Sequence, residues 1–132
     1  MPKQVRLSPG EWDIIRALWD SKERMTVREV LQKTYPNKER AYTTVQTVMN
    51  NLEQKGFLTK KKIGLVNFYK PKIKRGKAVR METQSFVKRV FDGSFQDLAN
   101  YLVESDNLTL DDIEQLKKLI QSKEEELGGG NS

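Results

Sequence analysis

Apolar residues at helical spacing predict two helices in the N-terminal part of the chain. The first begins at Ser8, where a proline takes the first helical position and Glu11 completes a capping box. The second begins with the capping box formed by Thr26 and Glu29, and it ends before Pro36. The residues that we expect these two helices to bury are Trp12, Ile15, Trp19, Val27, Val30 and Leu31.

A third amphipathic helix is predicted over residues 43–56 and has an unusual polar face. Its apolar stripe consists of Val45, Val48, Met49 and Leu52. Its opposite face consists of Thr43, Gln46, Thr47, Asn50 and Asn51. No acidic residue occurs from Arg40 to Leu52, although Glu and Lys are better helix formers than Thr or Asn. We therefore expect this face to contact something other than solvent, and Gly56 to end the helix.

A basic β-hairpin is predicted after the third helix. The segment FLTKKKIGLVNFYKPKI, residues 57–73, has β-branched and aromatic residues on both sides of Gly64, and Pro71 lies near its end. Three helices followed by a hairpin are typical of a winged helix, in which the third helix enters the major groove of DNA and the wing follows the backbone. The predicted fold class is thus mainly α with a small β-hairpin wing.

The second half of the chain predicts three further helical segments, broken at Asp92-Gly93 and around Asp106-Asn107. Each has an apolar stripe; the stripes are Val79, Phe86 and Val90, then Phe95, Leu98 and Leu102, then Ile113, Leu116 and Ile120. Helices this short cannot bury their stripes alone, so a second copy of the chain is the expected partner. The alternative is that they fold back on their own winged helix.

These elements predict three regions along the chain: a winged-helix DNA-binding domain over residues 1–75, a helical dimerisation region over residues 76–127 and a flexible tail over residues 128–132. The residues expected to form the dimer interface are Phe86, Val90, Leu98, Leu102, Ile113, Leu116 and Ile120.

Charge is distributed unevenly between the two halves. Residues 1–80 contain 19 Lys and Arg against 7 Asp and Glu, a net charge of +12, whereas residues 81–132 contain 5 against 11, a net charge of −6. Ten basic residues and no acidic residue lie between Gln54 and Met81. A run of charge can simply be a solvated surface, but its position directly after the polar helix favours a surface that neutralises phosphates.

The absence of histidine and cysteine removes the commonest general base, the thiolate nucleophile and the usual transition-metal ligands. We therefore expect neither an enzyme nor a metal or other cofactor. The acidic cluster of Asp111, Asp112 and Glu114 lies at a predicted helix start, where acids stabilise the helix dipole. No apolar run is long enough to span a membrane, and the N-terminus lacks the apolar core of a signal peptide, so a cytoplasmic protein without membrane insertion is expected.

The expected partner is double-stranded DNA. Hydroxyl and amide side chains can hydrogen-bond base edges, so Thr44, Gln46 and Thr47 are the predicted base contacts. The residues expected to position the helix and wing on phosphates are Thr43, Asn50, Arg40, Lys60, Lys61 and Lys62. Two alternatives remain open at this point: an architectural DNA binder without sequence preference, and a winged helix that binds another protein.

Three segments also carry a resemblance to a known family. LSPGEWDIIRALWD, AYTTVQTVMNNLEQKGFL and FYKP, read in this order, are similar to the penicillinase-repressor (BlaI/MecI) family, and the likeness covers nearly the whole chain. The resemblance implies a homodimeric winged-helix repressor of a pseudo-palindromic operator, dimerised by its C-terminal helices and connected with antibiotic resistance. It also implies a further partner, a protease linked to a membrane sensor, whose cut ends repression.

The resemblance further implies a candidate cleavage site. The β-lactam-responsive members are cut at an Asn-Phe bond in the second helix of the dimerisation region, and the matching dipeptide here is Asn100-Tyr101. The alternative is that Tyr101 only packs in the dimer. The chain also lacks the clustered C-terminal cysteines of copper-responsive relatives, so thiolate metal sensing is not expected.

Overall fold

A computed structural model describes residues 6–129 of the chain. Packing divides the chain into a first unit that ends at Phe86 and a second unit that begins at Val87. The elements in chain order are α1 (Pro9–Trp19), α2 (Val27–Thr34), α3 (Tyr42–Gln54), β1 (Leu58–Ile63), β2 (Val66–Pro71), α4 (Arg75–Phe91), α5 (Phe95–Glu104) and α6 (Leu110–Gly128). This order confirms the predicted winged helix followed by a helical region. None of the helices in the described part of the chain is long and apolar enough to cross a membrane.

Local sequence signals set the starts of the first two helices as predicted. The Ser8 hydroxyl accepts from the backbone N–H of Glu11 at 3.2 Å, while the Glu11 carboxylate accepts from the N–H of Ser8 at 2.8 Å. Thr26 and Glu29 form the same pair of bonds at the start of α2. Each capping box satisfies two donors that would otherwise lack a helical partner.

The core of the first unit gathers residues from α1, α2, α3, the hairpin and the start of α4. Of the residues that α1 was predicted to bury, Ile15 lies in the interior with Ile14 and Leu18, whereas Trp12 and Trp19 are partly buried and pack against this core. The two indoles pack against each other with ring centroids 5.9 Å apart. Trp19 also donates from Nε1 to the carbonyl oxygen of Ile73 at 3.0 Å, which keeps its ring at the edge of the core.

Helix α3 ends in a Schellman motif, which turns the chain into the wing. Gly56 adopts a φ of 88°, a conformation that disfavours residues with a Cβ. The N–H of Phe57 donates to the carbonyl oxygen of Leu52 at 2.9 Å, and that of Gly56 donates to Glu53 at 3.0 Å. Phe57 and Leu52 are both buried in the core, so the turn is fixed by packing as well as by hydrogen bonds.

The wing is an antiparallel hairpin with a two-residue turn. Ile63 pairs with Val66, and Gly64 and Leu65 form the turn between them. Gly64 has a φ of 65° and takes the first turn position, where a type II′ turn requires a positive φ. In the same register, Lys60 lies opposite Tyr69.

Tyr69 joins the wing to the rest of the first unit. Its backbone N–H donates to the carbonyl oxygen of Met25 at 2.8 Å, and the N–H of Met25 donates to the carbonyl oxygen of Tyr69 at 2.9 Å. Its ring is fully buried, and its hydroxyl donates to Oδ1 of Asn50 on α3 at 2.8 Å. A single residue thus fixes the wing against both the chain before α2 and the third helix.

The second unit contains the end of α4 together with α5 and α6. The break after α4 occurs where Asp92 and Gly93 take positive φ values of 51° and 84°. Thr109 and Asp112 form the capping box predicted for α6. No residue of α5 or α6 is buried in the single chain. Helix α6 continues to Gly128, and residues 130–132 of the predicted tail lie outside the described residues.

Replacing Tyr69 by phenylalanine should lower the free energy of unfolding by about 1–3 kcal/mol, because Oδ1 of the partly buried Asn50 would lose its donor. Urea unfolding at pH 7 measures this loss. Tyr42→Phe is the matched control, since Tyr42 is exposed and its change should stay within about 0.5 kcal/mol. An equal loss in the two variants would contradict the proposed role of the Tyr69 hydroxyl.

The same variant should alter stability at alkaline pH. Burial raises the pKa of the Tyr69 hydroxyl above its ordinary value of 10.0, and the Glu53 carboxylate adds to the shift. Because the folded state favours the neutral phenol, this contribution to stability is present below pH 10 and is lost as pH rises through the raised pKa. Tyr69→Phe should therefore show a shallower decline in stability above pH 10 than the unmodified chain.

Candidate nucleic-acid interface

The exposed face of α3 lacks charge. Helical spacing turns Val45, Met49 and Leu52 into the core, and it leaves four of the predicted DNA contacts exposed, namely Thr43, Thr44, Gln46 and Thr47. From Tyr42 to Leu52 the helix has no charged residue. Hydroxyls and amides on this face can both donate to and accept from base edges, and no carboxylate repels the phosphates beside them.

The start of α3 differs from the starts of α1, α2 and α6. Its N-cap is Ala41, which makes no side-chain hydrogen bond, and its first turn contains no acid. The first N–H groups of the helix therefore keep the positive end of the helix dipole without a neutralising side chain. This end of α3 is suited to lie beside a phosphate.

The structure gives Asn50 a role that the sequence does not indicate. Asn50 is partly buried, and its Oδ1 accepts the hydrogen bond from Tyr69. One side of the amide thus faces the wing rather than a ligand. We expect Asn50 to act mainly by holding α3 and the wing in register.

Arg40 is held just before the start of α3. Its guanidinium carbon lies 5.7 Å from the ring centroid of Tyr35, and its Nη1 donates to the carbonyl oxygen of Glu39 at 3.0 Å. Burial raises the pKa of the Tyr35 hydroxyl, with the nearby Asp13 carboxylate next in importance, so Tyr35 stays neutral and offers its ring to the cation. Arg40 is exposed and remains placed to contact a phosphate.

The strand register separates the three predicted wing contacts. Lys60, Lys61 and Lys62 are all exposed, but successive side chains of a strand point to opposite faces. Lys60 and Lys62 share the face of Tyr69, which contacts α3, whereas Lys61 lies opposite Phe68 on the other face. The lysines therefore do not form one uniform patch.

A groove of about 370 Å³ lies between the start of α2, the start of α3 and the wing. Its lining consists of Thr26, Val27, Arg28, Tyr42, Gln46, Leu65, Val66, Asn67 and Tyr69. The Arg28 guanidinium carbon lies 5.3 Å from the centroid of the Tyr42 ring, which holds the cation beside the exposed face of α3.

Arg28 is a candidate phosphate contact that sequence reasoning missed. In the sequence it is an interior residue of a capping box, 18 positions before Gln46. Only the packing of α2 on α3 brings the two side chains to one groove. No local sequence pattern could have identified it.

Comparisons with known proteins all point to the same family. The sequence model described as Penicillinase repressor matches residues 7–122. The methicillin resistance regulatory protein MecI of Staphylococcus aureus (strain N315) is 24% identical over 121 residues, covering 92% of this chain and 98% of that protein. The penicillinase repressor of Bacillus licheniformis is also 24% identical over 121 residues, covering 92% of this chain and 94% of its own length.

The wing register predicts different effects for two neighbouring lysines. Lys62→Ala should weaken binding to a duplex of random sequence and reduce the slope of log K against log salt by about one unit, as expected for one lost phosphate contact. Lys61→Ala is the matched control and should change the slope much less, because Lys61 points away from the face shared with Tyr69. Fluorescence anisotropy titrations at several salt concentrations measure both slopes, and equal changes would refute the assignment.

Proposed function

The chain belongs to the penicillinase repressor family, and from this premise we propose that it is a homodimeric transcriptional repressor that binds a pseudo-palindromic operator. The observation that carries the proposal is the uncharged, exposed face of α3 beside a basic wing. The names of its relatives, a penicillinase repressor and a methicillin resistance regulatory protein, favour a gene for β-lactam resistance as its target.

We assign base recognition to the first turns of α3. In helix-turn-helix proteins the N-terminal residues of the recognition helix contact base edges in the major groove. Thr44, Gln46 and Thr47 occupy that part of α3 and are exposed. A glutamine amide can form two hydrogen bonds with adenine, whereas threonine offers a hydroxyl and a methyl group.

Phosphate contacts surround this helix. Arg28 and Arg40 are each placed over an aromatic ring, and both precede the start of α3 in the chain. Lys60 and Lys62 extend the cationic surface along the wing, and Thr43 adds a hydroxyl at the start of α3. These contacts supply affinity for any duplex, and the α3 face supplies the preference among sequences.

Dimerisation is assigned to the helices of the second unit. Helices α5 and α6 have apolar stripes, yet neither buries a residue in the single chain. Residues proposed for the dimer interface include Leu98 and Ile113, which are partly exposed, and Leu102, Leu116 and Ile120, which are exposed, together with Phe86 and Val90 of α4. Apolar surface of this extent is stabilised when a second copy covers it.

The dimer matters because it makes binding bivalent. Once one winged helix holds a half-site, the second binds intramolecularly, an advantage on the order of 10²–10⁴ in avidity. An operator with two-fold symmetry follows from a dimer with two-fold symmetry.

We propose that repression ends by proteolysis at Asn100–Tyr101, under the control of a membrane sensor. Both residues lie on α5 and are exposed; Tyr101 is 66% exposed. A protease requires an extended substrate, so α5 must unwind locally. Within the single chain α5 buries none of its ten residues, so opening disturbs no core of its own chain and costs only the dimer contacts proposed for Leu98 and Leu102.

Gln46→Ala should weaken operator binding by roughly 1–3 kcal/mol and relax the preference at one base pair. The operator is first obtained by selecting duplexes from a random pool with the full-length chain. Gln54→Ala is the matched control, since Gln54 is also exposed but lies at the other end of α3. An architectural binder would lose affinity equally for operator and random duplexes, and a protein-interaction module would select no duplex at all.

Truncation after Asn100 should abolish tight operator binding, because the chain loses α6 and part of α5 and with them bivalent binding. Sedimentation should show a monomer, and titration should show weak binding that no longer distinguishes operator from random DNA. Equal affinity of the truncated and full-length chains would exclude cleavage there as the switch.

Leu116→Asp tests the interface without shortening the chain, since it places an unpaired charge in the apolar stripe of α6. Leu116→Asp should sediment as a monomer and should bind DNA weakly without distinguishing operator from random duplexes. The control Gln115→Asp adds the same charge at the neighbouring position and should leave the dimer intact.

A further inference from the structure

The tip of the wing exposes an apolar cluster. Leu65 is 93% exposed, more than any other large hydrophobic residue in the described part of the chain. It is flanked by Ile63 and Val66, which are 52% and 47% exposed. We call these three residues the wing tip.

The geometry of the turn leaves the Leu65 side chain exposed to solvent. The pair Ile63 and Val66 closes a two-residue turn, so the backbone at Leu65 has little freedom to fold its side chain back. Turn positions of this kind usually carry small or polar residues, which lose nothing by facing water. Because Leu65 is left almost fully exposed by its own chain, covering it with a surface outside the chain would be stabilising.

Charge around the wing tip points to a nucleic acid as that surface. Lys60, Lys61 and Lys62 precede the tip on β1, and Lys70 follows it on β2; all are exposed. No acidic residue lies between Gln54 and Met81. The lysines of the two strands suit a polyanionic backbone, and the apolar wing tip suits a less polar interior. A nucleic acid has both features.

The wing tip lies on the same side of the first unit as the exposed face of α3. Leu65 and Val66 line the same groove as Gln46 and Arg28. A wing placed beside α3 in this way reaches across one phosphate backbone when α3 occupies the major groove. The next surface beyond that backbone is the neighbouring minor groove.

We propose that Leu65 inserts into the minor groove flanking each half-site and acts as an apolar wedge. The inference rests on the proposed function, and it adds a determinant of specificity outside α3. Leucine is among the residues that proteins insert between base steps from the minor groove, where it partly unstacks and bends the duplex.

The chemistry of the minor groove gives this wedge a sequence preference. A G·C pair places the guanine 2-amino group on the groove floor, whereas A·T pairs present only acceptors there and leave more room. Flexible pyrimidine–purine steps also open at low cost. The flanks of the operator should therefore favour A·T pairs and such steps, although α3 does not reach them.

Inosine substitution provides a direct test, because an I·C pair lacks the minor-groove 2-amino group but presents the same major-groove atoms as G·C. The probe is a duplex selected from a random pool by the full-length chain, with each flanking pair made in turn as G·C or I·C. At one position per flank, the full-length chain should bind the I·C duplex at least about fivefold more tightly. Leu65→Ser should bind both duplexes equally, and Leu65→Met should retain the difference.

Two controls separate the wedge from other effects of the substitution. Leu110→Ser removes another leucine, 83% exposed at the start of α6, and should keep the full inosine effect. Leu65→Ser should leave the salt dependence of binding unchanged, because leucine neutralises no phosphate, in contrast with Lys62→Ala.

Specific outcomes would overturn the inference. If no flanking position responds to inosine, or if Leu65→Ser keeps the response, Leu65 does not enter the minor groove even though the repressor function stands. If Leu65→Ser instead dissociates the dimer in sedimentation, the wing tip contacts a second copy. If the full-length chain selects no duplex, the proposed function fails and the wedge fails with it.

Discussion

The arrangement of the first unit depends on the contacts of Tyr69. Its backbone pairs with Met25 before α2, its ring lies in the core, and its hydroxyl bonds Asn50 on α3. A two-stranded hairpin is marginally stable by itself, so its direction must come from what it packs against. Because Tyr69 supplies this packing together with Leu58 of β1, these contacts fix where Leu65 and Lys62 lie relative to Gln46. A surface that contacts DNA at several points needs this fixed spacing, since each misplaced contact loses both affinity and register.

Charge is distributed unevenly within the surface proposed to contact DNA. The exposed part of α3 has no charge before Glu53, whereas the wing and the segment after it are strongly basic. Lysines on α3 would bind the phosphates of any duplex in any register. Threonines on the wing would face phosphates, which carry no sequence information. In the proposed complex, neutral groups toward the bases and cations toward the backbone would let affinity and specificity vary independently.

The parts of the fold that were predictable from the sequence are those decided within a few residues. The capping boxes at Ser8 and Thr26, and the break at Asp92-Gly93, depend on neighbouring residues and appear where the sequence indicates. The site was less predictable because it depends on packing between distant elements. Arg28 reaches the α3 groove only through the contact of α2 with α3, and the difference between Lys61 and Lys62 requires the hairpin register.

Asn50 and the two tryptophans show the same limit. The polar face of α3 predicts Asn50 as a DNA contact, and the structure adds a bond that the sequence does not indicate, since the amide oxygen of Asn50 accepts from the hydroxyl of a tyrosine 19 positions away. Periodicity marks Trp12 and Trp19 as core residues, although their size and the indole donor of Trp19 keep them at the edge. Periodicity gives the direction of a side chain, but the depth of burial depends on what the rest of the chain places above it.

The distribution of buried residues suits a repressor that is inactivated by cutting. The core cluster draws on residues from Ile14 to Ala78, so it is complete before the second unit begins. Cleavage in α5 would therefore leave that core unchanged and remove part of the surface that we propose a second copy covers. Because bivalent binding multiplies affinity by the effective concentration of the second site, losing the proposed dimer would remove most of the affinity without unfolding any DNA-binding domain. A switch of this kind needs no conformational change within the winged helix.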